Sequence, residues 1–326
     1  MKIDPHVHFR DDVQNYKETI SHGLSIAKSQ GVDIVFDMPN TTKPILNKEG
    51  VEERLKYVPK DKIDSYYMYI GATTNDSQLK EAIELVNTHP KVIAIKMYAG
   101  KSTGNLAIIN ENDEKKVYQV LTDNNYEGII AVHCEKEEFM INEFDPNNPI
   151  SHALNRPNKA EIESIKDQIR FVKETNFKGT LHICHISCKE SIEIVTNEKE
   201  EFNKGNNKFK ITCGVTPHHI LWTMDKLSEA NGLLYKMNPP LRSKEDVEGL
   251  KEALKNNQID WIETDHVPHS IGEKLFCGYP SGFPTLYVYK EFIEKITKEL
   301  NLTEEQIKNL TFNNIVKAFN LEGKLL

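Results

Sequence analysis

Eight short apolar runs rich in β-branched residues, separated by longer amphipathic stretches, constrain this chain more than any other feature. They lie at Lys2–His8, Asp33–Met38, Ser65–Gly71, Val92–Met97, Ile129–His133, Thr180–His185, Lys208–Val215 and Trp261–Thr264. Helical patterns fill the intervals at Tyr16–Gln30, Lys48–Tyr57, Ser77–Asn87, Asn112–Asn124, Lys159–Thr175, Lys189–Phe202 and Lys244–Asn256, and another, Thr285–Leu300, follows the eighth run. This alternation is that of strand and helix units around a parallel sheet. Eight parallel strands, each followed by a helix, close into a barrel more naturally than they form an open sheet. The expected fold is therefore α/β: a (β/α)8 TIM barrel, one domain over residues 1–300, with residues 301–326 as a helical extension capping it. The length of 326 residues would also suit two ordinary domains, and it is the count of elements that favours the barrel.

Composition removes several classes of function. Lys+Arg 41 against Asp+Glu 49 gives a net charge of -8, without a basic run to track a phosphate backbone, so nucleic acid is not an expected partner. No stretch approaches the ~18–20 consecutive apolar residues of a bilayer span, and MKIDPHVHFR turns polar at once, so neither membrane anchor nor signal peptide is expected. Cys134, Cys184, Cys188, Cys213 and Cys277 are odd in number and contain no C-x-x-C pair, which fits a reducing cytoplasm rather than a disulfide framework. A thiolate role for Cys134, Cys184 and Cys213, which lie beside or near the expected mouth, is discounted, because each neighbours a better ligand or sits within a strand, where a free cysteine is most often a small buried hydrophobe.

In such barrels the chemistry sits at the C-terminal ends of the strands. The first strand ends in His6 and His8, two apart, so both imidazoles project from one face and can reach one ion. H-x-H is common by itself. Here His133, His185 and Asp265 also terminate predicted strands, and several imidazoles and a carboxylate at one mouth call for a divalent cation. His182 is offset by three from His185 and reads as a packing residue. Lys96 ends the fourth strand, VIAIKMY, where an ammonium aimed at a cationic site is electrostatically unreasonable unless its charge is removed or reversed. A deprotonated lysine can take up carbon dioxide and become a carbamate that bridges two cations. The alternative is a snorkelling lysine paired with an acid. Arg10, two beyond His8, faces the same mouth and can hold a carboxylate through its guanidinium fork, which a neutral cyclic amide would not require.

DPHVHFR, MPNT at Met38–Thr41, KMYAGKSTGN from Lys96 to Asn105, the VHCE and CHIS histidines, NPPLR at Asn238–Arg242 and TDHVPH at Thr264–His269 occur in the order and spacing of a known family. Together they resemble the dihydroorotases of the cyclic amidohydrolase superfamily, from residue 1 to about 290. The resemblance implies reversible, zinc-dependent cyclisation of N-carbamoyl-L-aspartate to L-dihydroorotate in pyrimidine biosynthesis. It implies two divalent ions, normally Zn2+: His6, His8 and Asp265 on the more buried one, His133 and His185 on the other, and a CO2-derived carbamate on Lys96 bridging them. Asp265 would shuttle the proton between the attacking water and the ring nitrogen. Asn40 and His269 would share the α-carboxylate with Arg10, and Asn238 and the backbone around Ser281–Phe283 would meet the ring edges.

The small β-sandwich that many relatives carry is expected to be absent, because the sequence begins at the first strand. Relatives suggest a homodimer, and association with aspartate transcarbamoylase is a further option. The competing readings are a hydantoinase, dihydropyrimidinase or allantoinase with the same metals, against which Arg10 argues, and an inactive structural partner of aspartate transcarbamoylase, which need not keep all six ligands.

Overall fold

A computed structural model describes residues 1–101 and 105–322. Residues 102–104 of the KMYAGKSTGN motif and residues 323–326 of the expected extension lie outside the described residues. Among the described residues nine strands form: β1 Ile3–Val7, β2 Ile34–Asp37, β3 Tyr66–Gly71, β4 Val92–Ala99, β5 Ala107–Ile108, β6 Ile129–Cys134, β7 Thr180–Ile183, β8 Lys210–Val215 and β9 Trp261–Ile262. The order is β1-β2-β3-β4-β6-β7-β8-β9 with every pair parallel, and the two-residue β5, absent from the sequence expectations, pairs with the end of β4. The ring is nearly closed: β9 lies against β8, and a single parallel bridge, Val7 to His266, joins the last segment to the first. The His8 N–H donates to the His266 carbonyl at 2.8 Å, and buried Asp4 accepts from the Thr264 N–H at 3.0 Å. The eight expected barrel strands and their helices are thus observed.

Helix starts are encoded locally. Thr19, Asn75 and Ser243 cap the helices Ile20–Ser29, Asp76–Thr88 and Lys244–Lys255 through side-chain oxygens that accept first-turn N–H groups. Each helix then turns one apolar stripe onto the barrel, as Leu79, Ala82 and Ile83 do. At the end where the strands begin, the helical segment after Thr303 closes the barrel. Ile315, Phe319 and Leu321 pack there with Ile3, Ile34, Phe36 and Trp261, and the Phe319 ring lies 5.0 Å from that of Phe36. One mouth is plugged by apolar side chains, so polar chemistry is confined to the other.

Two strands stop two residues earlier than expected, and both stops serve the open mouth. β7 ends at Ile183 rather than His185, and β9 ends at Ile262 rather than Thr264. Past those points His185 (φ 36°) and Asp265 (φ 45°) take left-handed backbone conformations. For non-glycine residues this costs about 1–3 kcal/mol each and is typical of functional positions.

Candidate active site

His6 lies within β1 and His8 just beyond it, and their Nε2 atoms are 3.3 Å apart. Both reach the same oxygen of Asp265, Oδ1, at 3.3 Å from His6 and 3.0 Å from His8. Ligand atoms held ~2.0–2.1 Å from a tetrahedral ion are about 3.3 Å from one another, so these three atoms have the spacing of a shared cation. A second pair stands beside them: His133 at the end of β6 and His185 after β7, with Nδ1 and Nε2 3.2 Å apart. The His185 ring lies 5.1 Å from that of His6, which joins the two groups. Lys96, on β4, is fully buried, with Nζ 3.0 Å from Cys184 Sγ. Among the described residues it forms no ion pair with an acid, unlike the snorkelling alternative. All six side chains expected at the mouth are therefore brought together.

The far nitrogens of the imidazoles decide whether this donor set fits metal ions. His8 Nδ1–H donates to Asn40 Oδ1 at 2.7 Å, and His133 Nε2–H donates to Glu135 Oε2 at 3.0 Å. His6 Nδ1 lies 3.4 Å from Glu263 Oε1. The bonds of His8 and His133 direct a lone pair of the opposite nitrogen into the site, as metal-binding histidines require. Burial, helped by the charges of His6 and Arg10, pushes His8 down to about 4 against the pull of Asp265, and burial takes His185 well below the ordinary histidine range. Neutral imidazole is the ligating form. For His6, burial and the Lys96 charge act downward but are outweighed by Cys184 and Glu263, and its pKa rises to about 10. Burial would raise Asp265, but its bond to His8 and the nearby imidazoles hold it well below the usual carboxylate range.

Two carboxylates here went unnoticed in the sequence. Glu263, completely enclosed, accepts from the His185 backbone N–H at 2.5 Å and from Trp261 Nε1 at 2.9 Å, and it faces His182 at 3.3 Å as well as His6. Gly214 makes room for it: a Cβ there would lie 2.4 Å from the Glu263 carboxyl carbon. Glu135 holds His133 and is itself paired with Arg156 at 2.5 Å. A glutamate two residues from a ligand within an apolar strand, as in VHCE and WIETD, was the available signal. Cys184 also departs from expectation. Burial would raise its thiol, but Lys96 and His182 hold it down to about 5, whereas burial pushes Cys134 and Cys188 far up and Cys213 up to about 12. His182, stacked on Trp261 at 4.3 Å, is a packing residue as expected.

Of the expected substrate residues, Asn40 and Asn238 fall around the same opening, whereas Arg10 and His269 do not line it. Asn40 and Asn238 line the cleft together with Ser281 and Gly282, and among the described residues the buried Oδ1 of Asn238 has no hydrogen-bond partner. Arg10 is 3% exposed and lines a separate pocket with Asp11, Asp12 and Thr41, and among the described residues its Nε and Nη2 are also without partners. The nearest carboxylate that could neutralise it, Asp37, is occupied by Arg54 Nη2 at 2.7 Å, by the Tyr66 hydroxyl at 2.6 Å and by the Phe9 N–H at 2.9 Å. His269 does not line the cleft itself. Its Nε2–H donates to the Ser281 carbonyl at 3.1 Å and its Nδ1 meets Lys17 Nζ at 3.3 Å. Burial and the charges of Arg10, Lys17 and Lys274 push it down to about 3.

No family model matches the chain. Curated proteins do: the dihydroorotase of Methanosarcina mazei is 30% identical over 99% of this chain and 71% of its own length. That of Lactobacillus acidophilus is 32% identical over 98% of this chain and 73% of its own. The chain belongs to the dihydroorotase family. Solved structures agree on the fold. A dihydropyrimidinase from Brevibacillus agri superposes with TM-score 0.81 at 20% identity, covering 98% of this chain and 70% of that one. A Saccharomyces cerevisiae dihydroorotase in complex with 5-fluoroorotic acid gives 0.75 at 18% identity, covering 98% and 84%. Among the described residues no helix is long and apolar enough to cross a membrane.

Proposed function

We propose that this chain is a dihydroorotase, a hydrolase acting on cyclic amides that interconverts L-dihydroorotate and N-carbamoyl-L-aspartate in pyrimidine biosynthesis. The residues that would hold its two divalent cations, Zn2+ by choice of ligands, are His6, His8 and Asp265 on one side and His133 and His185 on the other, with carboxylated Lys96 between them. When bound, such ions supply Lewis acidity, bringing the pKa of a shared water towards neutrality and polarising the scissile carbonyl. The protein's own groups do the rest. The second oxygen of Asp265 takes the proton of the attacking water and returns it to the ring nitrogen as the amide opens. In the cyclising direction it removes the ureido proton instead. Asn40, Glu135 and Glu263 keep the imidazoles oriented, so no ligand has to reorganise during the reaction.

The observation that carries the substrate assignment is Arg10, a buried guanidinium that among the described residues has two donor nitrogens unused and no ion pair with a carboxylate. Dihydroorotate brings a carboxylate. Dihydrouracil, hydantoin and allantoin do not, and closing the site over them would leave the charge unpaired at a cost of roughly 1–3 kcal/mol or more. Asn40 through its amide, His269 and the Asn238 carboxamide complete the proposed contacts. We place the protein in the cytoplasm, which its free cysteines support. Ring opening assayed on dihydroorotate beside dihydrouracil, hydantoin and allantoin tests the proposal. Preference for dihydroorotate is expected; turnover of the uncharged rings alone would reject it.

A further inference from the structure

A buried ammonium with no acid beside it stands behind one wall of the cleft. Lys274, in the short helix Ile271–Leu275, is 5% exposed, and among the described residues it forms no ion pair. Its Nζ donates to three backbone carbonyls: Lys236 at 2.9 Å, Pro280 at 3.1 Å and Gly282 at 2.9 Å. An ammonium has three donors, and here each meets one carbonyl. The three acceptors belong to two separate segments, and both segments end in the cleft: the first reaches Asn238 two residues after Lys236, and the second supplies Ser281 and Gly282.

The remaining ties between these segments are few. The Gly282 N–H donates to the Lys236 carbonyl at 2.9 Å, and Lys236 Nζ donates to the Tyr279 carbonyl at 2.7 Å. His152 Nε2–H holds the Met237 carbonyl at 2.8 Å from the other side. Gly282 itself has φ 148°, and a Cβ there would lie 2.5 Å from Val267, so the wall has no slack on that side. The Lys274 helix is in turn fixed by its capping box and by Glu273, which pairs with Lys17 at 2.9 Å.

We propose that Lys274 is a positioning residue for the substrate ring, clamping the 236–238 and 280–282 segments together so that Asn238 and Gly282 face the ring at a fixed separation. The inference rests on the functional reading above for the identity of that ring. It explains why an uncompensated charge is kept inside: a neutral apolar side chain would take a donor from all three carbonyls and leave the Lys236 carbonyl with the Gly282 N–H alone. The groups facing Lys274 are cationic or neutral. They are the Lys236 ammonium and, further off, His269, with Arg156 beyond Lys236. Burial, with Lys236, pushes Lys274 down to about 7 and, with Arg156, pushes Lys236 down to about 8. As pH rises through that range Lys274 keeps only two N–H donors, so one carbonyl loses its partner and the clamp loosens.

The test is steady-state kinetics from pH 6 to pH 9 on wild type, Lys274→Met, Asn238→Ala and the double variant, with metal content measured on each. Lys274→Met should raise KM about tenfold, the worth of one hydrogen bond, with kcat and metal content little changed. The wild-type KM should itself rise across neutral pH, and that rise should be missing from Lys274→Met. Because the lysine acts through Asn238, the two substitutions should combine less than additively in KM. Additive effects, or an unchanged KM in Lys274→Met, would overturn the proposal. If Lys274→Met does not fold, the wild-type and Asn238→Ala profiles suffice: the neutral-pH rise must shrink in Asn238→Ala, and its full persistence would refute the clamp. The comparison is made on whichever cyclic amide the wild type opens, so failure to open dihydroorotate counts against the functional reading and not against the clamp.

Discussion

Replacing Arg10 by methionine keeps most of the buried volume and removes the one group that distinguishes an anionic ring from a neutral one. Among the described residues its Nε and Nη2 have no partner and its side chain is almost wholly enclosed, so on the proposed reading both donors would be given to the substrate carboxylate. A hydrogen bond to a charged group contributes about 1.5–3 kcal/mol. Losing two, with partial compensation by Asn40 and His269, removes about 3–4 kcal/mol, or roughly 150- to 1000-fold in kcat/KM for dihydroorotate. Stability should move the other way. Burial depresses the Arg10 pKa against the distant attraction of Asp37, the mark of a charge that is costly to enclose. Arg10→Met should therefore melt no lower than wild type and bind the same amount of metal. Kinetics on dihydroorotate and on dihydrouracil, with thermal unfolding and metal analysis of the same samples, read all three quantities. An unchanged kcat/KM for dihydroorotate would refute the assignment of Arg10. An equal loss on both rings would show that the substitution had damaged the metal centre instead of the carboxylate site.

Other consequences are as specific. Lys96→Ala should lose the bridging group and most activity, with partial recovery on adding short carboxylic acids; full activity without them would eliminate the carbamate. Glu263→Gln keeps the shape of the side chain but weakens its hold on His6 and His185, and should lower metal affinity about 10- to 100-fold in a chelator competition. Unaltered affinity would mean that Glu263 merely fills space beside Gly214. Away from the site, burial raises the Glu114 carboxyl from 4.5 to about 7, against a hydrogen bond from Gln168. Its folded pKa exceeds the unfolded one, so the folded state holds the extra proton between those values, and stability present below pH 4.5 is lost as pH rises towards 7. Glu114→Gln should abolish that slope and stabilise the protein at pH 8 by about 1–3 kcal/mol in denaturant titrations; an unchanged slope would contradict the assignment.

The barrel was legible because its strands and helices are patterned locally. The runs from Lys2 to Trp261 carry β-branched residues of buried strands, and the capping residues Thr19, Asn75 and Ser243 mark helix starts in the sequence itself. What was not legible depends on tertiary approach. That the chain leaves the sheet at Ile183 and Ile262, putting His185 and Asp265 in left-handed conformations, follows from closing a ring whose last seam is a single bridge between Val7 and His266. The role of Glu263 was hidden for the same reason: its partners are His6, His182 and His185 on other segments, and the space it needs is opened by Gly214 on β8. Asn40 read as a contact for the carboxylate, whereas its carbonyl oxygen is placed on His8, which adds an orienting role. His269 stands one step back from the cleft, against the Ser281 carbonyl.

The account turns on His6, His8, Lys96, His133, His185 and Asp265 holding a pair of cations. Stripping the enzyme with chelator and titrating zinc back, while following ring opening of dihydroorotate and bound metal together, tests it most directly. Activity should vanish on stripping and return in step with zinc, reaching its plateau at two ions per chain. Ring opening that survives the loss of metal at full speed, or a plateau reached with all activity restored by a single ion, would contradict it.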